Sequence, residues 1–403
     1  MKNTPLLSPA LLMKYALSLL LALLLMNASA WAQTVPPLDL AARQAVLVEA
    51  ATGGVLYAKD ADSRMPTSSM SKMMTMYVVF EALKSGKLHM EDRIPVSEHA
   101  WKQEGSRMFL NVGQTARVED LVRGVIVQSG NDAAVTLAES LGSGSESAFA
   151  DLMNAKATQL GLTNSHFMNA TGLPDPQHYS TARDLAALAL ALYRDFPEYY
   201  HFFSEMSFTY NGIAQGNRNP LLYRAMNVDG LKTGHTDTGG YGLTASAARE
   251  GRRLFMVLNG MTDMQARADE SAKLLDYGYR EFGLYPVVKA GDILGTPAVW
   301  LGTAPSVAIG AKKDVTLSLP RAARMGLKAV VHFPQRLDAP LAKGQTVGSL
   351  ILTAPDRPDQ TVPLVVLADV PQVGFFARLW AKISGLFHKK QGGGEEVRDV
   401  VLK

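Results

Sequence analysis

The sequence predicts an α+β protein: an antiparallel sheet with helices packed on it, then a small all-β domain, then a C-terminal amphipathic helix. Three observations predict it. Residues 33–284 alternate strand-like and helix-like runs. After Tyr285 the chain turns to short apolar runs punctuated by Pro and Gly. From Phe375 onward apolar residues recur at helical spacing. At roughly 150 residues per domain, a chain of 403 residues has room for two or three domains.

The chain opens with a basic and then apolar segment. Lys2 and Lys14 are the only charges before residue 33, LSLLLALLL lies between Tyr15 and Met26, and Ala30-Trp31-Ala32 is a small-x-small site. This is the pattern of a secretory signal peptide over residues 1–32, cleaved after Ala32. The apolar run is short for a membrane span, which needs about 20 residues. An uncleaved anchor helix is the alternative.

Residues 33–284 make the first domain. QAVLVEA and GGVLYA flank a Thr-Gly-Gly turn and read as a hairpin. SMSKMMTMYVVFEALKSGK reads as a helix, with Ser69 near its start and Gly86 near its stop. VEDLVRGVIV, DAAVTLAESL and SAFADLMNAKATQLG are further helices. YGLTASAAREGRRLFMVLNG reads as two strands around a turn at Glu250-Gly251, and ARADESAKLLDYGYREF as a helix.

KDVTLSLP, LKAVVHFP, TVGSLILTAP and TVPLVVLADV are spaced as in a small sandwich or barrel, which gives a second domain over 285–371. Pro371 and Gly374 then break the chain. Phe375, Phe376, Leu379, Trp380, Ile383, Leu386 and Phe387 fall on one helical face. Arg378, Lys382, Lys389 and Lys390 lie between or after them, with no acid among residues 375–390. Such a helix lies in the plane of an anionic membrane surface, so residues 372–390 are expected to be an anchor. Packing on the protein's own core is the alternative. QGGGEEVRDVVLK, residues 391–403, reads as a flexible tail.

Composition narrows the chemistry. With 47% hydrophobic and 19% charged residues, a packed core is expected and global disorder is not. The absence of cysteine excludes disulfides, thiol catalysis and cysteine-ligated zinc or iron–sulfur sites. A net charge of +3 gives no argument for a nucleic-acid partner, and none is expected. HExxH, GxSxG, the P-loop and GxGxxG do not occur, and the eight histidines are scattered without metal-ligand spacing.

One set of motifs remains. Ser69-Met70-Ser71-Lys72 is the only SxxK, Ser129-Gly130-Asn131 the only SGN and Lys232-Thr233-Gly234 the only KTG. A lone SxxK arises by chance roughly once or twice in 400 residues, and each tripeptide in about one chain in ten. All three in this order are a far more specific signal.

The chemistry explains the spacing. Residues i and i+3 share a helical face, so Lys72 reaches the Ser69 hydroxyl. Serine is a poor nucleophile until a base takes its proton. Lysine serves as that base only when its pKa is lowered; burial, a helix N-terminus and the second cation at Lys232 all act that way. Ser129, in a loop between two helices, can relay a proton to a leaving amine. Asn131 offers an amide donor and acceptor to a peptide backbone. Lys232 and Thr233 on a strand edge would hold a substrate carboxylate, and Gly234 would let an extended peptide lie close. The N–H groups of Ser69 and His235 would form an oxyanion hole. Each residue alone also has a plainer role: Ser69 as a helix cap, Lys72 as a solvated charge, Asn131 and Asp132 as caps, Thr233-Gly234 as a turn.

On these motifs the chain resembles the low-molecular-mass, type-5 penicillin-binding proteins, serine D-Ala-D-Ala carboxypeptidases. The likeness runs from about Gln44 to Phe387 through PTSSMSKMMT, RGVIVQSGNDAAV, NATGLPDPQHYSTARDLA, NVDGLKTGHTDTGGYGLTASA and RADESAKLLDYGYREF. It implies a β-lactamase/transpeptidase-like fold for the first domain. It implies Ser69 as acylated nucleophile, Lys72 as proton acceptor and Ser129 as third catalytic residue, with Lys232 and Thr233 binding substrate. His235 follows KTG as this subfamily expects, and Arg267 matches an arginine that approaches the terminal carboxylate. The implied substrates are peptidoglycan stem peptides, the implied inhibitors are β-lactams, and the implied location is the periplasmic face of the inner membrane, as a peripheral protein held by residues 375–390. No metal or organic cofactor is implied. The segment AWKQEGSRMFL, around Trp101 to Leu110, is several residues shorter than in well-known members.

Other readings share these residues. A β-lactamase would need an extra glutamate for deacylation, and no ExxLN-like segment lies between Asn131 and Lys232. A DD-endopeptidase is a nearer alternative. A non-catalytic peptidoglycan-binding scaffold would not need the intact serine and lysines. His178, Tyr179 and Ser180 lie in a Gly/Pro-rich loop expected to border the site, and Asp184 reads as a first-turn helix charge.

Overall fold

The computed structural model describes residues 35–355, 357–376, 379 and 394–400. The expected signal peptide lies outside the described residues, as does most of the expected anchor. Of the anchor's apolar face, Phe375, Phe376 and Leu379 are described, and all three are exposed.

Strands Gln44–Glu49, Val55–Lys59, Val228–Thr236, Gly240–Arg249 and Arg252–Met261 build one antiparallel sheet. Their spatial order is 55–59, 44–49, 252–261, 240–249, 228–236. The strand period of two divides the side chains between two cores. Ala45, Leu47, Leu254, Met256 and Leu258 pack with Leu274 and Leu275 of the helix Met264–Glu281. Val46, Val48, Phe255 and Val257 join the core of the larger helical layer.

That layer holds the helices Lys72–Lys84, Val118–Ile126, Asn131–Leu141, Glu146–Gln159 and Ala182–Asp195. The first of these is its centre. Every side chain from Lys72 to Phe80 is buried, so this helix carries no polar stripe. Caps fix several helix starts, with Ser145, Thr181 and Asp263 each accepting a backbone N–H of the first turn.

Strand Phe282–Val288 follows directly on the helix Met264–Glu281. Phe282 packs in the first domain and Val288 in the second, so a strand joins the two. The second domain contains an antiparallel sheet in the order 309–311, 360–366, 346–353, 328–334, 395–399. Strand Val315–Pro320 pairs with Phe282–Val288 beside it.

The tail needs correction. Residues Glu395–Asp399, expected within a flexible extension, form an edge strand against Lys328–Pro334, with Val331 opposite Arg398 and His332 opposite Val397. Four of the five residues are charged and most are exposed, so no alternating apolar pattern announces the strand. Main-chain hydrogen bonds to an otherwise open edge hold it.

Candidate active site

The site forms where the start of the Lys72–Lys84 helix meets the Val228–Thr236 strand. Ser69 sits in a 3-10 turn, Ser68–Ser71, immediately before that helix. Ser68 has φ 50°, in the left-handed region. The turn is held from two sides by glycines. A Cβ at Gly234 would lie 2.7 Å from the Thr67 carbonyl oxygen, and one at Gly172 would lie 1.8 Å from that of Ser68. Gly234 is therefore required by packing against the turn, a reason additional to the expected close approach of a peptide.

Ser69 is half-buried and caps nothing. Its Oγ accepts a hydrogen bond from Lys72 Nζ at 2.9 Å. Lys72 is fully buried, and Nζ also donates to Asn131 Oδ1 at 2.6 Å and the Thr171 carbonyl at 2.7 Å. Burial, helped by the charge of Arg218 and opposed by Asp132 and Glu146, brings its pKa down to about 7. Lys72 can thus be neutral near neutral pH, as a base requires.

Ser129 follows helix Val118–Ile126 and has φ 65°. Its Oγ accepts from Lys232 Nζ at 2.9 Å, and that ammonium also donates to the Thr233 carbonyl at 3.1 Å. Lys232 is buried, and desolvation together with the cations Lys72, Arg218 and Arg267 holds its pKa well below the ordinary value.

Asn131 starts the next helix. Its Oδ1 is taken by Lys72, while Nδ2 donates to the Glu104 carbonyl at 2.6 Å. The side chain ties the lysine to the short loop before Leu110, leaving one N–H of its amide for a substrate. Asp132 pins the same loop, accepting from the backbone N–H groups of Met108 at 2.9 Å and Leu110 at 3.1 Å.

Thr233 is buried, whereas His235 is exposed and stacks on Tyr241 with ring centroids 3.9 Å apart. Arg267, only 6% exposed, sets its guanidinium over the same ring at 5.7 Å, and its buried Nε has no hydrogen-bond partner among the described residues. Burial brings its pKa down to about 10. A buried guanidinium beside the KTG strand, with no carboxylate paired to it among the described residues, suits a substrate carboxylate.

The structure thus gathers the predicted residues into two adjacent hydrogen-bonded sets, Ser69–Lys72–Asn131 and Ser129–Lys232, with Thr233, Gly234, His235 and Arg267 along one flank. Sequence reasoning missed the parts played by five residues. Thr171 acts through its carbonyl, which composition does not reveal; Asn169 fixes it, its Oδ1 accepting from the N–H groups of Thr171 and Gly172. Arg218, in Gly216-Asn217-Arg218-Asn219, donates to Ser106 Oγ and adds its charge near both lysines. Tyr241 underlies His235 and Arg267. Asp132 was read only as a cap. The available signals were the run Ser129-Gly130-Asn131-Asp132 and the motif segments that contain Asn169, Thr171 and Tyr241.

This fold and constellation define a serine penicillin-binding enzyme. Residues 30–262 match the family model for D-alanyl-D-alanine carboxypeptidase, and residues 282–372 that for the penicillin-binding protein 5 C-terminal domain. The chain is 40% identical to the D-alanyl-D-alanine carboxypeptidase DacA of Haemophilus influenzae, over 88% of this chain and 92% of that one. It is likewise 40% identical to DacA of Escherichia coli K12, over 88% of this chain and 89% of that one. Penicillin-binding protein 5 of Haemophilus influenzae superposes with a TM-score of 0.78 at 40% identity, covering 84% of this chain and 100% of that structure. The chain belongs to the D-alanyl-D-alanine carboxypeptidase family.

Proposed function

We propose that the chain removes the terminal D-Ala from peptidoglycan stem pentapeptides through an acyl-enzyme on Ser69. The observation that carries this is Lys72, buried, near neutral pKa and 2.9 Å from the Ser69 hydroxyl. Neutral Lys72 takes the Ser69 proton as Oγ attacks the peptide carbonyl between the two D-Ala residues. The N–H groups of Ser69 and His235 receive the oxyanion. The scissile C–N bond breaks as Ser129, bonded to Lys232, passes its proton to the departing amine and takes in return the one that Lys72 removed from Ser69, so that Lys72 is neutral again. Lys232, Thr233 and Arg267 hold the terminal carboxylate. Water, activated by Lys72 and Ser129, then cleaves the ester and restores the serine.

A β-lactam acylates the same serine and leaves slowly. The leader over residues 1–32 exports the enzyme, and the cationic segment 375–390 holds it on the periplasmic face of the inner membrane. The exposure of Phe375 and Phe376, 65% and 83%, supports that reading. No helix among the described residues is long and apolar enough to cross a membrane.

The test is D-Ala release from a stem pentapeptide by the purified soluble form. Wild type should release D-Ala, while Ser69→Ala should neither release it nor become labelled by fluorescent penicillin. Absence of release, with Ser69→Ala indistinguishable from wild type, would sink the proposal.

A further inference from the structure

His178 makes a contact that the reaction above does not use. Its ring is 6% exposed and packs edge-on against Phe167 at 5.6 Å. Nε2 lies 2.7 Å from Ser71 Oγ, and Ser71 Oγ lies 2.6 Å from Thr67 Oγ1. Nδ1 accepts the backbone N–H of Met168 at 3.2 Å. Ser71 stands inside the SxxK motif, between the nucleophile and its base.

The direction of this chain of hydrogen bonds follows from one group. A backbone N–H only donates, so Nδ1 must be the bare nitrogen. The ring proton is then on Nε2, and the imidazole donates to Ser71 Oγ. That leaves the Ser71 hydroxyl free to donate to Thr67 Oγ1. A protonated ring would turn a second N–H toward that of Met168, so the arrangement requires the neutral form. Burial favours it too, bringing the His178 pKa down to about 4.

The bridge joins two pieces that must stay in register. One is the Ser68–Ser71 turn that presents Ser69. The other is the loop 167–178, whose Thr171 carbonyl receives Lys72 Nζ and whose Gly172 lies against Ser68. A shift of that loop would move an acceptor away from Lys72 and release the turn together. Shifts of about 1 Å at such distances cost large factors in rate.

We infer that His178 is a positioning residue for acylation, which acts by donating through Nε2 to Ser71 and so locks the loop 167–178 to the nucleophile turn. It touches no substrate. This inference rests on Ser69 being the acylated residue.

The experiment compares the acylation rate by a chromogenic or fluorescent penicillin, and kcat and KM for a D-Ala-D-Ala peptide, in wild type, His178→Gln and His178→Phe. Glutamine offers an N–H to Ser71 and a carbonyl to Met168, and should keep acylation within about threefold of wild type. Phenylalanine fills the space without either bond, and should slow acylation and kcat tenfold or more at little changed KM. Rates are normalised to the fraction of Ser69 that penicillin finally labels, so partial unfolding does not imitate the effect. Should the phenylalanine variant not fold, Ser71→Ala removes the same bond from its other end and carries the same expectation. Wild-type acylation in whichever of these two folds, or a glutamine variant as slow as the phenylalanine one, would overturn the assignment. Loss of labelling at wild-type Ser69 would instead refute the acyl-enzyme reading beneath it.

Discussion

Lys232 Nζ lies 2.9 Å from the Ser129 hydroxyl, while 2.9 Å also separates Lys72 Nζ from that of Ser69. The site therefore holds two serine–lysine pairs, each lysine buried and each with a lowered pKa. Two adjacent ammonium groups out of reach of water repel, so loss of a proton from the pair is favoured. One pair is suited to attack and the other to the leaving amine.

Acylation should therefore follow a rising limb with pH, with an apparent pKa near the value of about 7 at Lys72. The base is neutral above that value and protonated below it, so the penicillin acylation rate falls as pH drops. Lys72→Arg keeps a charge at every pH. It should lose acylation throughout, and a variant that regains it at high pH would contradict the assignment.

The position of that limb should respond to Arg218, whose charge lowers the Lys72 pKa. Arg218→Gln retains a donor for Ser106 and removes the charge. The limb should move to higher pH. Asp132→Asn should move it the other way, because Asp132 raises the Lys72 pKa. Stopped-flow acylation between pH 5 and about 9 distinguishes the directions, since these pKa shifts act through charge.

Asp132 also carries structure. Its carboxylate receives two loop N–H groups, and one of them loses its acceptor in Asp132→Asn. A buried donor left unpaired costs about 1–3 kcal/mol. The melting temperature should fall accordingly, and proteolysis should begin in residues 103–110.

Gly234→Ala should fail by crowding. The added methyl would meet the Thr67 carbonyl at 2.7 Å, where backbone must yield. Overpacking of this kind costs about 1–3 kcal/mol. The displaced turn should also slow acylation tenfold or more, and unchanged acylation would show that the turn can move freely.

Stability should depend on His178 at mildly acid pH. Its pKa is lowered from the ordinary 6.5 to about 4 by burial. Between those values the unfolded chain binds a proton that the folded chain refuses, so stability falls as pH falls. His178→Gln removes that contribution. Its melting temperature should decline less than that of wild type from pH 7 to about 4.

Much of this architecture was legible because local signals agreed. The hairpin at Thr52-Gly53-Gly54, the helix of Val118–Ile126 and the paired strands around Glu250-Gly251 carry periodicity and turn residues together. The three motifs point to Ser69, Lys72, Ser129 and Lys232 through side-chain chemistry, and the structure brings those side chains together in pairs. What escaped was backbone chemistry and tertiary pairing. The Thr171 carbonyl is an acceptor that any residue could supply. The sequence suggests room for substrate at Gly234, but not its further constraint, which comes from a turn over 160 residues away in sequence. Glu395–Asp399 has no apolar face, so nothing in its composition reveals a strand held by its neighbour's open edge.

That strand gives the chain a second point of attachment beyond the segment expected to meet the membrane. The backbone is fastened to Leu301 at Val373 and to Gln335 at Gly394. The described chain on either side of the cationic segment 375–390 is thus fastened to the second domain, at Val373 before it and at Gly394 after it. A single cut between those two points therefore leaves the chain on each side of it held to the second domain by main-chain hydrogen bonds of its own.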